Sequence, residues 1–274
     1  MAFPGASADR ETADYAVVGA PLDVSTTFRP GTRFGPARVR ELAATFEDYD
    51  HHTDSHFTDC AVSDHGDVGA AGAIDDAAEY LTFLEGELDD LRADGIVPLL
   101  IGGEHTVSVA GVRSVEPDVF VCLDAHLDLR EGYAGNPLSH STVTRHALEV
   151  ADRAVILGAR AGSEAEWERA DEADVTVVPP GEVSAWTPDF ADESIYLSVD
   201  VDAADPGFAP GTGTMEPFGL TPREIHDVVR SVAPHAAGFD VVEVNDRDEG
   251  QAATLAAKLL RVFVHEHAAA SDSE

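Results

Sequence analysis

Side chains that could bind metal ions recur at every second position in two short segments of this chain. Side chains two apart on a strand point to the same side, so each segment could present its carboxylates and imidazole together. A third segment, which ends in a histidine, adds another imidazole. The three segments are Gly102-Gly-Glu-His105, Asp124-Ala-His126-Leu-Asp128 and Ser198-Val-Asp200-Val-Asp202.

Together these segments supply four carboxylates and two imidazoles, which is more than one metal ion normally needs. Two ions that share bridging carboxylates would use all six groups. A lone Asp-x-Asp is more often a solvated loop or a turn. An Asp-x-His-x-Asp after an apolar run, joined by a second Asp-x-Asp after another, is improbable by chance. The spacing therefore predicts a two-metal site.

Each acidic segment follows an apolar run that is typical of a buried strand, and parallel α/β sheets place their sites at the carboxyl ends of strands. Strand-like and helix-like patterns alternate along the chain, which predicts one α/β domain, 1–274, with a mostly parallel sheet covered by helices on both faces. We expect strands at 15–19, 96–101, 119–123, 154–158, 175–178, 195–199 and 238–245, and helices at 36–46, 75–93, 106–113, 163–173, 221–232 and 251–267.

The charge balance is strongly acidic. The chain has 52 Asp and Glu against 17 Lys and Arg, a formal charge of −35, and its single lysine is Lys258. Such a surface repels itself at low salt, whereas at molar salt the screening length falls to roughly 3 Å. We therefore expect a protein adapted to a salt-rich cytosol, as in a halophile. Without a basic patch, nucleic acid is not an expected partner.

The remaining composition indicates a cytoplasmic globular protein. An apolar content of 44% is enough for a substantial core. Cys60 and Cys122 give no disulfide framework, and Cys122 reads as a small buried hydrophobe. The first residues lack a signal-peptide pattern. No apolar run approaches the roughly 20 residues that a membrane span needs.

At this point the segments resemble a known family, the ureohydrolases that include arginases and agmatinases, over nearly the whole chain. The resemblance implies a three-layer α/β/α sandwich around an eight-stranded parallel sheet, and a homo-oligomer, a trimer or a hexamer. Besides the three segments above, it is carried by Gly19-Ala-Pro-Leu-Asp23, Arg29-Pro-Gly-Thr-Arg-Phe-Gly-Pro36, Ala209-Pro-Gly-Thr-Gly-Thr214 and Val242-Glu-Val-Asn245.

The resemblance also implies a cofactor, two Mn²⁺ per subunit, which suits an oxygen-rich ligand set with two imidazoles. The ions would activate a bridging hydroxide that attacks a guanidinium carbon. Asp124 and Asp200 would bridge the ions. By resemblance, one ion is held by His105, Asp124, Asp128 and Asp200, and the other by Asp124, His126, Asp200 and Asp202.

Three catalytic roles follow from the same resemblance. Asp128 would accept a hydrogen bond from the hydroxide. Glu243 would pair with the guanidinium in a planar, two-point contact. His140 would carry a proton to the leaving amine. The simpler alternatives are an ordinary salt bridge for Glu243 and an exposed loop position for His140.

The expected substrate is agmatine, which would give putrescine and urea. The segment Gly158–Ser163 lacks the acid that arginases use for the α-amino group, which argues against arginine. Arg130 complicates this choice, since it could face a substrate carboxylate, as in formimidoglutamate or guanidinobutyrate. We favour its pairing with one of the local acids. Asp246 stands where the family usually has proline.

Other functions stay open from the sequence. A formimidoglutamase or another guanidino-acid hydrolase is the nearest alternative. A single-zinc deacetylase of related fold is disfavoured by the extra acids Asp128 and Asp202. A non-catalytic binding protein derived from the family would be expected to lose a ligand, and here all six are present.

Overall fold

A computed structural model of the chain describes residues 1–69 and 76–271, and its centre is an eight-stranded sheet in which every neighbouring pair is parallel. The strand order is β4-β1-β5-β10-β9-β6-β7-β8, and β2 and β3 form a separate antiparallel pair. The strands are β1 Tyr15–Ala20, β2 Tyr49–Asp50, β3 Ser55–His56, β4 Val62–Asp67, β5 Val97–Gly102, β6 Val119–Leu123, β7 Arg153–Leu157, β8 Val175–Val178, β9 Ile195–Asp200 and β10 Ala236–Val242.

Helices cover both faces of this sheet, so the predicted three-layer α/β/α fold is confirmed. Buried residues of α1, α7 and α8 pack on one face, and those of α2, α3 and α4 pack on the other. The helices are α1 Gly35–Ala43, α2 Ala77–Ala93, α3 Ser108–Val115, α4 Val143–Ala147, α5 Glu164–Ala170, α6 Pro180–Val183, α7 Pro222–Val232 and α8 Gln251–Ser271. In the described ranges, no helix combines the length and apolar character that crossing a membrane requires.

Alternation along the central strands divides their side chains between the two layers. In β6, Val121 faces the layer of α1, α7 and α8, whereas Phe120 and Cys122 face the layer of α2, α3 and α4. Because both faces are covered, the central strands read as continuous apolar runs rather than as alternating patterns. This is why the sequence identified β6 and β9 so readily.

Local sequence signals predicted some helix ends correctly and others incorrectly. Thr221, where the sequence predicted a helix to begin, caps α7: its hydroxyl accepts from the Glu224 amide at 3.3 Å, and the Glu224 carboxylate accepts from the Thr221 amide at 2.8 Å. The predicted start of the second helix at Asp75 lies outside the described residues, and α2 is described from Ala77. The helix α1 ends at Ala43, three residues before the expected Phe46.

Strand register brings the ends of the central strands to one edge. Cys122 of β6 and Asp240 of β10 both lie opposite Ser198 of β9, and Val241 lies opposite Ile101 of β5. The three segments with potential ligands therefore leave the sheet side by side, at the edge where parallel α/β proteins place their sites.

Candidate metal centre and substrate pocket

Turns after the strands, rather than the strands themselves, carry most of the candidate ligands. We expected strand alternation to align them, but β6 ends at Leu123, before the first cluster. Of the second cluster, Asp200 is the last residue of β9, and Asp202 lies in a 3-10 turn. The spacing of every second residue still brings the candidate ligands together, because each turn directs these side chains toward the same position.

Three carboxylates surround the His105 ring at one nitrogen. Nδ1 of His105 lies 3.1 Å from Oδ2 of Asp124, 2.9 Å from Oδ2 of Asp128 and 3.6 Å from Oδ2 of Asp200. The His105 side chain is 1% exposed. These are the four residues expected to hold the first ion.

A second group forms around His126, and Asp124 belongs to both groups. Nδ1 of His126 lies 3.0 Å from Oδ2 of Asp202 and 3.4 Å from Oδ1 of Asp124. One potential ligand atom from each of these three residues lies within 4.8 Å of the others. Asp124 therefore directs its two oxygens at the two rings, which is the geometry that a bridging carboxylate requires.

Backbone amides orient the carboxylates. Oδ1 of Asp124 accepts from the amide of His126 at 2.7 Å, and Oδ1 of Asp200 accepts from the amide of Asp202 at 2.8 Å. Oδ1 of Asp202 accepts from the amide of Ala125 at 3.0 Å. Each of these aspartates is thus held by one oxygen, while Oδ2 remains directed at a histidine ring.

A buried hydrogen-bond chain sets the tautomer of His105. The Ser198 hydroxyl donates to Oδ1 of Asp240 at 2.6 Å, and the Tyr196 hydroxyl donates to Oδ2 of Asp240 at 2.8 Å. The Ser198 hydroxyl donates its hydrogen bond to Asp240. Its oxygen is therefore the acceptor for a hydrogen bond from Nε2 of His105, 3.2 Å away. In the neutral ring with its proton on Nε2, the form that a metal ligand requires, Nδ1 carries the lone pair.

That lone pair has no hydrogen-bond partner among the described residues, although Nδ1 is fully buried. A buried nitrogen without a partner is costly unless something binds it. Three converging carboxylate oxygens and a free imidazole lone pair are the donors that a divalent transition-metal ion prefers. The residues present therefore fit a metal ion at this position.

The buried carboxylates of the cluster favour the binding of a positively charged ion between them. Burial, together with the nearby charge of Asp124, raises the pKa of Asp128 to about 7. Burial and Asp202 raise the pKa of Asp200 well above its usual range. Burial would lower the pKa of His126, but Asp202 and Asp124 outweigh it and raise that pKa. Buried carboxylates this close need a compensating cation, which two divalent ions would supply.

Cys122 lies beneath the cluster, where sequence reasoning saw only a small apolar residue. Its sulfur is 3.8 Å from Nε2 of His105 and 3.9 Å from Oδ2 of Asp124. Burial raises the pKa of the thiol far above its ordinary value, so it stays protonated. It approaches the ring nitrogen opposite to the carboxylates, so Cys122 packs under the candidate ligands, and its potential ligand atom lies within 4.8 Å of those of His105 and Asp124.

Two candidate catalytic carboxylates have left-handed backbone conformations. Asp128 has a φ of 51° and Glu243 a φ of 62°, a region that costs energy for residues with a side chain. Glu243 follows directly after β10, where the sequence predicted a longer strand. Its Oε1 accepts from the amide of His105 at 2.9 Å. Burial raises the pKa of Glu243 to about 8.

His140 begins a 3-10 turn and lines the same pocket as the candidate ligands. Its Nε2 lies 3.1 Å from the hydroxyl of Thr27, and its backbone amide donates to the hydroxyl of Ser25 at 2.9 Å. Burial, together with the nearby His126 and His105, lowers the pKa of His140 to about 4. The ring is therefore neutral near pH 7 and has a nitrogen free to accept a proton.

The pocket above the cluster has a volume of about 280 Å³. Outside the candidate ligands, Glu243 and His140, its charged lining consists of Arg130, Glu166 and Glu216. Arg130 faces the pocket and also pairs with the buried Glu166, at 3.2 Å. The two interpretations of Arg130 are therefore compatible, because its side chain lines the pocket and also forms an ion pair with an acid of this chain.

Sequence reasoning missed several of the lining residues, among them Thr27, Glu166 and Glu216. Only Glu166 had a local signal, the Ser163-x-x-Glu166 capping box of α5. Thr27 and Glu216 lie in loops distant along the chain. Nothing in their immediate sequence indicates a pocket.

Comparison with known proteins agrees with this geometry. The family model described as the arginase family matches residues 13–265. The agmatinase of Halalkalibacterium halodurans is 34% identical over 249 residues, which are 85% of this chain and 84% of that protein. The N(1)-aminopropylagmatine ureohydrolase of Thermococcus kodakarensis is 32% identical over 261 residues, 91% of this chain and 89% of that protein. The agmatine ureohydrolase structure of Thermoplasma volcanium superposes with a TM-score of 0.93 at 29% identity, covering 100% of this chain and 96% of that one.

Proposed function

This chain belongs to the arginase family of hydrolases acting on C–N bonds of linear amidines, and we propose that it is an agmatinase with two Mn²⁺ per subunit. The reaction adds water to the guanidinium carbon of agmatine, breaks the bond to the alkyl nitrogen and releases putrescine and urea. The observation that carries the proposal is the convergence of four carboxylates and two imidazoles at the base of one pocket.

His105, Asp124, Asp128 and Asp200 would hold one ion, and Asp124, His126, Asp200 and Asp202 the other. The free lone pair on Nδ1 of His105 and the paired orientation of Asp124 support this division. When bound, two such ions make water more acidic and stabilise the charge that develops on the guanidinium group. That activation is needed because the guanidinium carbon is a poor electrophile.

The surrounding residues bind and orient the substrate and move protons. Glu243 would hold the guanidinium by paired hydrogen bonds, which fixes its carbon above the cluster. Its backbone position is set by its own amide, which donates to the carbonyl of Gly103 at 2.8 Å. Asp128 would accept a hydrogen bond from the attacking water. The neutral His140 would take up a proton and deliver it to the departing amine.

The charged lining of the pocket supports a cationic substrate tail. Glu166 offsets the charge of Arg130, which weakens the attraction of Arg130 for a substrate carboxylate. Glu216 has no ion-pair partner in residues 1–69 and 76–271. One cation against two carboxylates leaves a negative charge, which complements the ammonium of agmatine and opposes the carboxylate of a guanidino acid.

The decisive experiment is urea release from a panel of guanidino compounds with Mn²⁺ in molar salt. The panel contains agmatine, N(1)-aminopropylagmatine, arginine and 4-guanidinobutyrate, with glutamate release from formimidoglutamate measured in parallel. We expect the highest kcat/KM for agmatine. A preference for formimidoglutamate or guanidinobutyrate that is lost in Arg130→Ala would refute the substrate assignment.

Glu216→Gln tests the tail contact within the same panel. We expect it to lower kcat/KM for agmatine but not for 1-butylguanidine, which has a chain of the same length without the ammonium. Equal losses on the two compounds would contradict the role of Glu216. Arg130→Ala should change agmatine turnover little, because Arg130 already has an acid as its partner.

Two further expectations accompany the proposal. We propose a cytoplasmic enzyme that assembles as a trimer or hexamer, and light scattering in molar salt with Mn²⁺ measures the assembly directly. A formimidoglutamase and a single-zinc deacetylase are the enzymatic alternatives. Metal analysis distinguishes the latter, because two equivalents of metal per chain are expected rather than one.

A further inference from the structure

The loop of residues 25–27 is fastened to the fold by a buried carboxylate that the proposed reaction does not use. Glu104 is fully buried, next to the candidate ligand His105. Its oxygens accept from the amide of Ser25 at 2.7 Å and from the hydroxyl of Ser25 at 2.6 Å. They also accept from the hydroxyls of Thr26 at 3.3 Å and Thr106 at 2.8 Å. Three of these four donors belong to the loop, so Glu104 fixes the loop at one point.

The same loop holds His140 at two points. The hydroxyl of Ser25 gives its proton to Glu104 and accepts from the His140 amide at 2.9 Å. Two residues further, the hydroxyl of Thr27 lies 3.1 Å from Nε2 of the His140 ring. The first contact fixes the backbone of His140, and the second fixes the rotation of its ring. Both come from residues more than a hundred positions away in the chain.

We propose that Thr27 and Ser25, anchored by Glu104, are positioning residues that aim the His140 ring into the pocket for proton transfer. The inference rests on the proposed role of His140. A ring held at both backbone and side chain does not have to be ordered during each turnover, which is the benefit of a preorganised proton-transfer group. The hydroxyl of Thr27 can donate to Nε2 or accept from it, so the contact survives either tautomer.

The test replaces Thr27, which is exposed enough for substitution without loss of the fold. Thr27→Val removes the hydroxyl and keeps the shape, whereas the matched control Thr27→Ser keeps the hydroxyl. We expect Thr27→Val to lower kcat for agmatine about 10-fold, part of the 10²–10⁴ that general acid–base catalysis contributes. KM, bound manganese and melting temperature should match the wild type, and Thr27→Ser should restore kcat.

A double-mutant cycle with His140→Asn separates positioning from other effects. If Thr27 acts through His140, Thr27→Val should change kcat less than about twofold in the His140→Asn background. An equal loss in both backgrounds would overturn the inference, as would a wild-type kcat for Thr27→Val beside a large loss for His140→Asn. If His140→Asn itself keeps full kcat, the proposed role of His140 fails and the inference falls with it, while agmatine hydrolysis by the wild type still stands.

Discussion

Asp124 is the residue on which both candidate metal positions depend. Its two oxygens lie 3.1 Å and 3.4 Å from the Nδ1 atoms of His105 and His126, and its side chain is 2% exposed. No other carboxylate has a contact of this kind with both rings among the described residues. Loss of this one group would therefore leave both cations undercompensated at the same time.

We expect Asp124→Ala to lose bound metal and activity together, and Asp200→Ala to do the same. The matched control is Asp192→Ala, which removes an exposed aspartate that does not line the pocket. Elemental analysis of the purified variants, with urea release in parallel, measures both quantities. Two full equivalents of metal with near-normal turnover in Asp124→Ala would rule out the bridging assignment.

The raised carboxylate pKa values give the metal-free protein a defined response to pH. In the folded chain the pKa of Asp128 is about 7 and that of Glu243 about 8, both above their ordinary values. A raised carboxylate pKa means that the folded state binds more protons than the unfolded one. The associated stability is fully present below about pH 4, the ordinary carboxyl pKa, and is lost progressively from there as pH rises through about 7 to 8.

We therefore expect the melting temperature of the protein in EDTA to fall between pH 6.5 and pH 9 at fixed molar salt. Added Mn²⁺ should remove most of this dependence, because the ions compensate the ionised carboxylates. In Asp128→Asn the metal-free dependence should be shallower. A melting temperature that rises over this range in EDTA would show that ionisation of these carboxylates does not dominate the pH dependence of stability.

The turn after β5 connects the sheet to the site through one glycine. The Gly103 amide donates to the carbonyl of Ala20, and its carbonyl accepts from the amide of Glu243. A Cβ at this position would lie 1.9 Å from the carbonyl oxygen of Leu22, a backbone atom that cannot move aside. The close approach of three chain segments therefore requires glycine here.

Gly103→Ala should disturb this turn and the site together. We expect a loss of stability of more than about 2 kcal/mol, the range of overpacked buried positions, and weaker metal binding. Gly86→Ala is the control, since a Cβ there has no neighbour within 4 Å on α2, and alanine in a helix gains about 0.5–1 kcal/mol. Denaturant unfolding with metal titration measures both. Equal stability of the two variants would contradict the packing argument.

Among the helices and strands, the sequence predicted the elements that are defined by hydrophobic burial. It missed the elements that depend on tertiary contacts. The central strands were recognised because both of their faces are buried. The edge strand β4 was missed, since Val62–Asp67 has five polar or glycine positions and is only partly covered. The short helices α4 and α6 were also missed, because four or five residues carry too little periodicity to stand out.

The candidate site divides in the same way. The six ligand candidates follow from spacing, because each cluster is local in sequence. The Thr27 contact with His140 spans 113 positions, and the Ser25 contact with Glu104 spans 79. Such pairings depend on how the loops cross the edge of the sheet, and no local pattern encodes them. Glu216 and the pairing of Arg130 with Glu166 belong to this second group.

On the scale of the whole molecule, the acidic surface is much larger than the arginines can neutralise. Arg40 is buried and pairs with Asp64 at 2.8 Å and Asp67 at 2.6 Å. Arg169 and Arg153 are also paired, with Asp174 and Glu193. With the basic residues so engaged and a formal charge of −35, most acidic side chains have only solvent and counterions to offset their repulsion.

The whole-molecule prediction is that this protein needs salt for stability. Between 0.1 M and 1 M salt the screening length falls from about 10 Å to about 3 Å, which confines repulsion to near neighbours. We expect the melting temperature to rise steeply over this range with Mn²⁺ held constant, and activity to be lost at low salt.

Screening can be separated from general solvent effects by comparing potassium chloride with sucrose. Sucrose favours the compact state by exclusion from the surface but does not screen charge. If repulsion between carboxylates limits stability, potassium chloride should raise the melting temperature far more than sucrose does. Replacing exposed acids of α2, such as Glu79 with glutamine and Asp89 with asparagine, should then shift the requirement toward lower salt. A melting temperature that is the same in dilute and molar salt would show that the acidic surface is tolerated without screening.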